Sequence, residues 1–274
     1  MPNDTPLRLK AIPTQDGAGV KIRRISDFNG RLDPFLLIDE LKSEVQEDYV
    51  GGFPPHPHRG FETLTYLLKG GLQHEDSRGH RGEVTRGGAQ WMRAGRGVIH
   101  SEMPLKDGNG LHGFQIWINL PAEKKMSEPA YRDIQSDDIP EMDINGGHAR
   151  LIAGKWQLND VQGAGALAVL GDGAGIADLT VNAHADVDIT LPEGYRLLAY
   201  VYEGELKNHA AIGELAVFVP EQSTINLHAE TDTGILLMAG RPLREPIVHH
   251  GPFVMNTIEE IEQAINDYQT DVMG

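Results

Sequence analysis

The chain has 274 residues, a formal charge of −16 and no cysteine. That length can bury a core in one large β domain or two ordinary ones. The acidity argues against a surface built to neutralise phosphates, and without cysteine there are no disulfides, thiolate zinc sites or cysteine nucleophiles.

The N-terminal stretch "MPNDTPLRLK" lacks the apolar core of a signal segment, and no run of 18 apolar residues occurs. A cytoplasmic address is therefore expected, with no membrane span and no direct nucleic-acid partner. The 32 glycines and 16 prolines make up about 18% of the chain against roughly 12% in average proteins, which suits short strands joined by turns. Residues 7–50 read as short strands and turns, including "KIRRISDFNGRLDPFLLIDEL". A β-like block follows over 53–120, with "FETLTYLL", "EVTRGGAQWM", "GVIHSEM" and "GFQIWINL". Residues 121–147 carry three prolines and many charges without periodicity, and read as a connection between two halves. A second β block spans about 148–243, and "GDGAGIADL" within it reads as a hairpin turn. "ETLTYLLKGGL" and "RLLAYVYEGEL" echo each other across the halves, as duplication of one β-barrel unit would produce. The chain closes on a helix capped by Asn256 or Thr257 with Glu259 or Glu260, and Ile258, Ile261, Ile265 and Tyr268 at helical spacing form an apolar stripe that packs on a barrel or, as the alternative, binds a partner.

The chemistry concentrates in two pairs. His56 and His58 flank one proline, and His100 and Glu102 stand two apart 42 residues later. In a strand, residues two apart share a face. Two neighbouring strands would thus bring three imidazoles and one carboxylate to one point. That donor set suits Fe, Mn, Ni, Co or Cu rather than structural zinc. Four ligands on an octahedral ion leave two positions for substrate and dioxygen or water, and a residual charge near +1 favours an enolate. A lone histidine lining a barrel is more often simply hydrogen-bonded, so the quartet is the signal. His74 and His80, in "QHEDSRGH", read as a solvated hairpin tip; His112 lines a pocket or packs; His249 and His250 fall in a turn. Glu62 is a spare carboxylate for the site's surroundings or for an ion pair with Arg59 or Arg93. No G-x-S-x-G elbow, P-loop or dinucleotide fingerprint competes.

"GGFPPHPHRGFETLTYLL", "HEDSRGHRGEV", "QWMRAGRGVIHSEMP", "FQIWINLP", "GPFVMNT" and "LDPFLLIDEL" closely resemble the pirin family of the cupin superfamily. The resemblance implies an all-β bicupin: two jelly-roll-like barrels in tandem with a short C-terminal α-helix. Residues 1–135 would form the metal-bearing barrel, and 136–274 a metal-free barrel with the helix. The family's metal ligands fall on His56, His58, His100 and Glu102, and iron is the foremost ion, with Mn, Ni, Co, Cu or Zn also accepted. Arg86-Gly87-Gly88 replaces a Pro-Gly-Asp turn common in the family. Two functions are implied. One is a quercetin 2,3-dioxygenase-like enzyme, which would open a flavonol or other enolisable molecule with O2 and release carbon monoxide. In it, Glu102 is the catalytic base and Phe53 and Gln115 are pocket residues. The other is a metal- or redox-sensing regulator that binds a transcription factor or metabolic enzyme.

Overall fold

The computed structural model describes residues 6–106, 108, 110–168 and 170–273. The chain forms two compact units, each of antiparallel strands. One comprises Ile12–Asp137 with the segment from Leu243 onward; the other comprises Asp138–Pro242 with the described residues up to Ala11. This division differs from the expected split at 135/136, because both ends cross over. The Leu7–Lys10 strand pairs with Glu214–Val217 in the second unit. The C-terminal segment, expected in the second barrel, lies in the first. There Phe253 forms a bridge with Arg59, and Val254 packs with Leu36, Leu37 and Phe61. Among the described residues, no helix is long and apolar enough to cross a membrane.

In the first unit a seven-stranded sheet runs, side by side, through Ala130–Ile134, Ala89–Arg93, Phe61–Lys69, Leu111–Asn119, Phe35–Ser43, Val20–Ser26 and Ile12–Asp16. A four-stranded sheet runs through Phe53–His58, Val98–Pro104, Gly71–Asp76 and Arg81–Thr85. Alternation explains the outer strands: in "VKIRRIS", Val20, Ile22 and Ile25 are buried while Lys21 and Arg23 face water, the period of a half-buried strand. The "FLLIDEL" of Phe35–Ser43 is buried throughout, as a strand covered on both faces must be. A core of Val20, Ile22, Leu41, Leu67, Leu72, Val84 and Leu111 draws on both sheets. The proline-rich "FPPHPH" strand sits at the edge of its sheet, where the missing N–H donors cost nothing.

Helix α1, Ile258–Gln269, carries a complete capping box between Thr257 and Glu260. Ile261 and Ala264 are its buried positions, packed with Phe253, Met255 and Met273. Ile258, expected in the core stripe, is 63% exposed, and Tyr268 is also exposed: the contact takes one narrow face. Asp267 on the helix pairs with the buried Arg59 at 2.8 Å.

The second unit repeats the plan with its own seven- and four-stranded sheets around a core that includes Trp156, Leu179, Leu197, Leu227 and Leu237.

Candidate metal centre

The Phe53–His58 and Val98–Pro104 strands lie side by side, antiparallel, with His100 opposite His56 and Val98 opposite His58. The register shifts between His100 and Glu102, so that Glu102 stands opposite Phe53. A bulge of this kind re-aims a side chain. The ring nitrogens of His56, His58 and His100 lie within 4.8 Å of one another. Glu102 stands outside that tight group but lines the same cavity.

The Nδ1 atoms are already engaged. That of His56 donates to Pro54 O at 2.8 Å, and that of His58 faces Pro252 O at 3.4 Å. With protons there, both Nε2 atoms carry lone pairs, yet they stand 3.1 Å apart. Two lone pairs at that distance repel unless a cation lies between them. His100 Nδ1 meets His74 Nδ1 at 3.4 Å, His74 Nε2 faces Asp76 Oδ2 at 3.5 Å, and His80 Nδ1 donates to the same oxygen at 2.8 Å. The Asp76 carboxylate thus sets the direction of the chain: His74 gives its Nε2 proton to Asp76 and accepts from His100. That leaves His100 Nε2 as a lone pair, and it is buried with no hydrogen-bond partner. Carboxylate-anchored histidines of this kind orient metal ligands.

Charge follows the same logic. Burial pushes the pKa of His58 well below its ordinary value, and neighbouring His56 adds to the effect. His100 is lowered likewise by burial, then by His58, His56 and His74. Both rings are neutral near pH 7, the form that binds a metal. The geometry and donor set fit a divalent transition ion.

Glu102 is held in place. Gln115 Nε2 donates to its Oε2 at 3.0 Å, and the Thr65 hydroxyl lies 2.9 Å from its Oε1. The same hydroxyl reaches Gln115 Oε1, so it has one proton for two acceptors.

A cavity of about 690 Å³ opens above these groups, with Phe53 and Gln115 both in its lining, a size that suits small-molecule sites. The lining also includes Phe28, Trp117, Arg24 and Asp39, which carry no sequence signal, and His249, expected in a turn but found in the Val248–His250 strand. His249 stacks on Phe28 at 3.7 Å between centroids. Arg24 grips Asp39 through two hydrogen bonds, of 2.7 and 2.6 Å, and also bonds Asp16. Burial opposes the Arg24 charge, but both carboxylates more than offset it and raise its pKa.

His74, expected in a solvated hairpin tip, is buried and stacks on Tyr131 at 4.3 Å. The signal was present: Leu72, His74 and Asp76 alternate along Gly71–Asp76, so a strand there places all three on one face. His80 is the partly exposed end of the chain. His112 pairs with Glu40 at 3.0 Å. Of its two expected partners, Glu62 bonds Arg93, at 2.8 Å, and accepts from the Trp91 indole at 3.1 Å.

Comparison with known proteins agrees with this architecture. The Pirin family model matches residues 20–118, and the Pirin C-terminal cupin domain model matches residues 176–274. A Vibrio cholerae protein, provisionally named quercetin 2,3-dioxygenase, is 49% identical over 263 residues, spanning 94% of this chain and 93% of its own. Pirin from Homo sapiens is 38% identical over 279 residues, spanning 94% and 90%. A crystal structure of quercetin 2,3-dioxygenase from Acinetobacter baumannii superposes with a TM-score of 0.88 at 34% identity, covering 99% of this chain and 98% of the other. With both cupin domains matched and this identity across its length, the chain belongs to the pirin family of bicupins.

Proposed function

We propose that the protein is a metal-dependent dioxygenase of the flavonol type. It would hold one divalent transition ion, iron foremost, through His56, His58 and His100, with Glu102 as fourth ligand and general base. The observation that carries this reading is the convergence of three imidazoles, with the unpartnered His100 Nε2 among them, beside a cavity of about 690 Å³ that His56 and His58 line. A bound ion supplies a Lewis-acid anchor for an enolate oxygen and a redox partner for dioxygen.

The protein groups do the rest. Phe28, Phe53 and Trp117 offer aromatic surface in the cavity for a planar polyphenol. In this reading Glu102, which lines the cavity, takes the proton of a flavonol 3-hydroxyl, and its surroundings have a place for that proton. On Glu102 Oε1 it would donate to Thr65 Oγ1, freeing the Thr65 proton for Gln115 Oε1, while Gln115 Nε2 keeps its bond to Oε2. Every donor and acceptor in the trio is then matched, which favours Glu102 as acceptor of the substrate proton. The net reaction consumes one O2 per flavonol, places both oxygen atoms in the ring-opened ester and releases one carbon monoxide.

The test is to purify the protein, measure its metal content and follow flavonol loss together with oxygen uptake. One-to-one consumption in the metal-loaded protein supports the proposal. A fully loaded protein that turns over no flavonol overturns it and leaves the regulatory reading, in which oxidised and reduced metal states capture different protein partners.

A further inference from the structure

The second unit carries its own group of metal-type donors. His184, His228 and Glu230 each offer a ligand atom within 4.8 Å of the others. His228 ends the Thr224–His228 strand, and Glu230 follows at the His-x-Glu spacing also seen in His100-Ser101-Glu102. His184 comes from the turn that leads into the neighbouring Asp186–Thr190 strand, which pairs with Thr224–His228.

The turn is shaped to present that ring. His184 has φ +62°, a left-handed conformation that non-glycine residues adopt uncommonly. It is held there by local bonds: His184 N–H donates to Ala229 O at 2.8 Å, Ala229 N–H to Ala185 O at 3.0 Å, and Ala183 N–H to Asp232 Oδ1 at 2.8 Å. A second observation concerns orientation. Asp186 Oδ1 accepts from His228 Nδ1 at 3.1 Å, which fixes the tautomer and leaves Nε2 as a lone pair. A carboxylate behind a histidine is the arrangement that orients metal-binding imidazoles. The Lys207 ammonium is a loose competitor for Glu230, its Nζ 3.7 Å from Oε1.

We propose that His184, His228 and Glu230 form a second, solvent-facing site for a divalent transition ion of borderline softness: Zn2+, Ni2+ or Cu2+. Two imidazoles and one carboxylate are the donors of open three-ligand zinc sites, and imidazole selects these ions over Mg2+ and Ca2+. Water completes the coordination. The site is independent of the cavity in the first unit and of the reaction assigned to it.

The experiment is equilibrium dialysis of the chelator-stripped full chain against Zn2+, with bound zinc counted per chain. His184→Asn removes the imidazole while keeping a residue that tolerates left-handed backbone. It is expected to bind one zinc fewer than wild type, as is His228→Gln. Lys207→Gln removes the competing ammonium and is expected to bind the second zinc more tightly. His58→Ala, altered only in the first unit, is expected to keep the zinc that His184→Asn loses. Thermal unfolding in chelator establishes that each variant is folded. Equal zinc counts in wild type and His184→Asn overturn the proposal, as does displacement of this zinc by Mg2+ at equal concentration.

Discussion

Lys125 links the backbone just past His58 to the C-terminal segment, and its removal is expected to cost stability in a pH-dependent way. The side chain is 1% exposed. Its ammonium donates to Gly60 O at 2.8 Å, Asn119 Oδ1 at 2.6 Å and Val254 O at 3.0 Å. Gly60 lies two residues past His58, and Val254 two past Pro252, whose carbonyl faces His58. One side chain thus ties together both supports of that imidazole. Burial lowers the Lys125 pKa from 10.5 to about 8, against the pull of Glu245, Glu260 and Asp33. Below pH 8 the group is charged in both folded and unfolded chains, and the native state bears the full cost of burying the charge. As pH rises from 8 toward 10.5 the native amine has lost its proton while the unfolded chain keeps it, so stability increases. Between pH 7 and pH 9.5 these two values give a gain of about 2 kcal/mol. Lys125→Met removes the ammonium at similar length. It leaves three buried oxygens short of a donor, at ~1–3 kcal/mol each, and relieves about 3 kcal/mol of charge burial. The net loss is about 3 kcal/mol at pH 7, widening to about 5 kcal/mol at pH 9.5 because only wild type gains. Urea unfolding of both metal-stripped proteins at the two pH values measures this. An identical gap at both values would mean that the ammonium stays charged throughout, and the reasoning would fail.

Three other outcomes follow from the same contacts. His58→Ala removes one of three converging imidazoles, so metal content after dialysis should fall to a small fraction of wild type; full retention would remove His58 from the site. His74→Phe preserves the stacked ring but takes away the acceptor for His100 Nδ1, and metal affinity, read by chelator competition, should fall ~10–100-fold. Thr257→Ala deletes the cap that accepts from Glu260 N at 3.2 Å, at a cost of about 1 kcal/mol, visible as a fall of roughly 2–4 °C in the melting temperature.

The residues that sequence reading brought together are those governed by local periodicity. His56, His58 and His100 follow from period-two strands, and Glu62 with Arg93 is a cross-strand pair in register. The bulge between His100 and Glu102 obeys no such rule: the register shifts against the Phe53–His58 strand but runs on without a break against Gly71–Asp76. The return of the C-terminal segment to the first unit was equally illegible. It rests on contacts such as Arg59 with Asp267, separated by 208 residues, which no window of sequence contains. Arg24 and Asp39 were hidden for a related reason: a charged pair on adjacent strands reads as a solvated face until the cavity beside it is known.

Whether the cavity is a substrate chamber is what separates enzyme from regulator, and Ser26 allows that to be asked without touching the metal. Ser26 is exposed, ends the Val20–Ser26 strand and lines the cavity. It is none of the proposed ligands or their hydrogen-bond partners. Ser26→Trp places a large ring at the cavity wall, where a bound polyphenol would have to compete with it. If flavonol enters here, kcat/KM should fall at least tenfold, a loss of about 1.4 kcal/mol of transition-state binding, with KM moving more than kcat and metal content unchanged. A regulator that signals through the metal's oxidation state has no need of free volume, so its partner capture would survive the substitution. Unchanged turnover in Ser26→Trp would show that the reacting molecule does not use this wall. A variant that loses metal along with turnover would show instead that Ser26 supports the ligands.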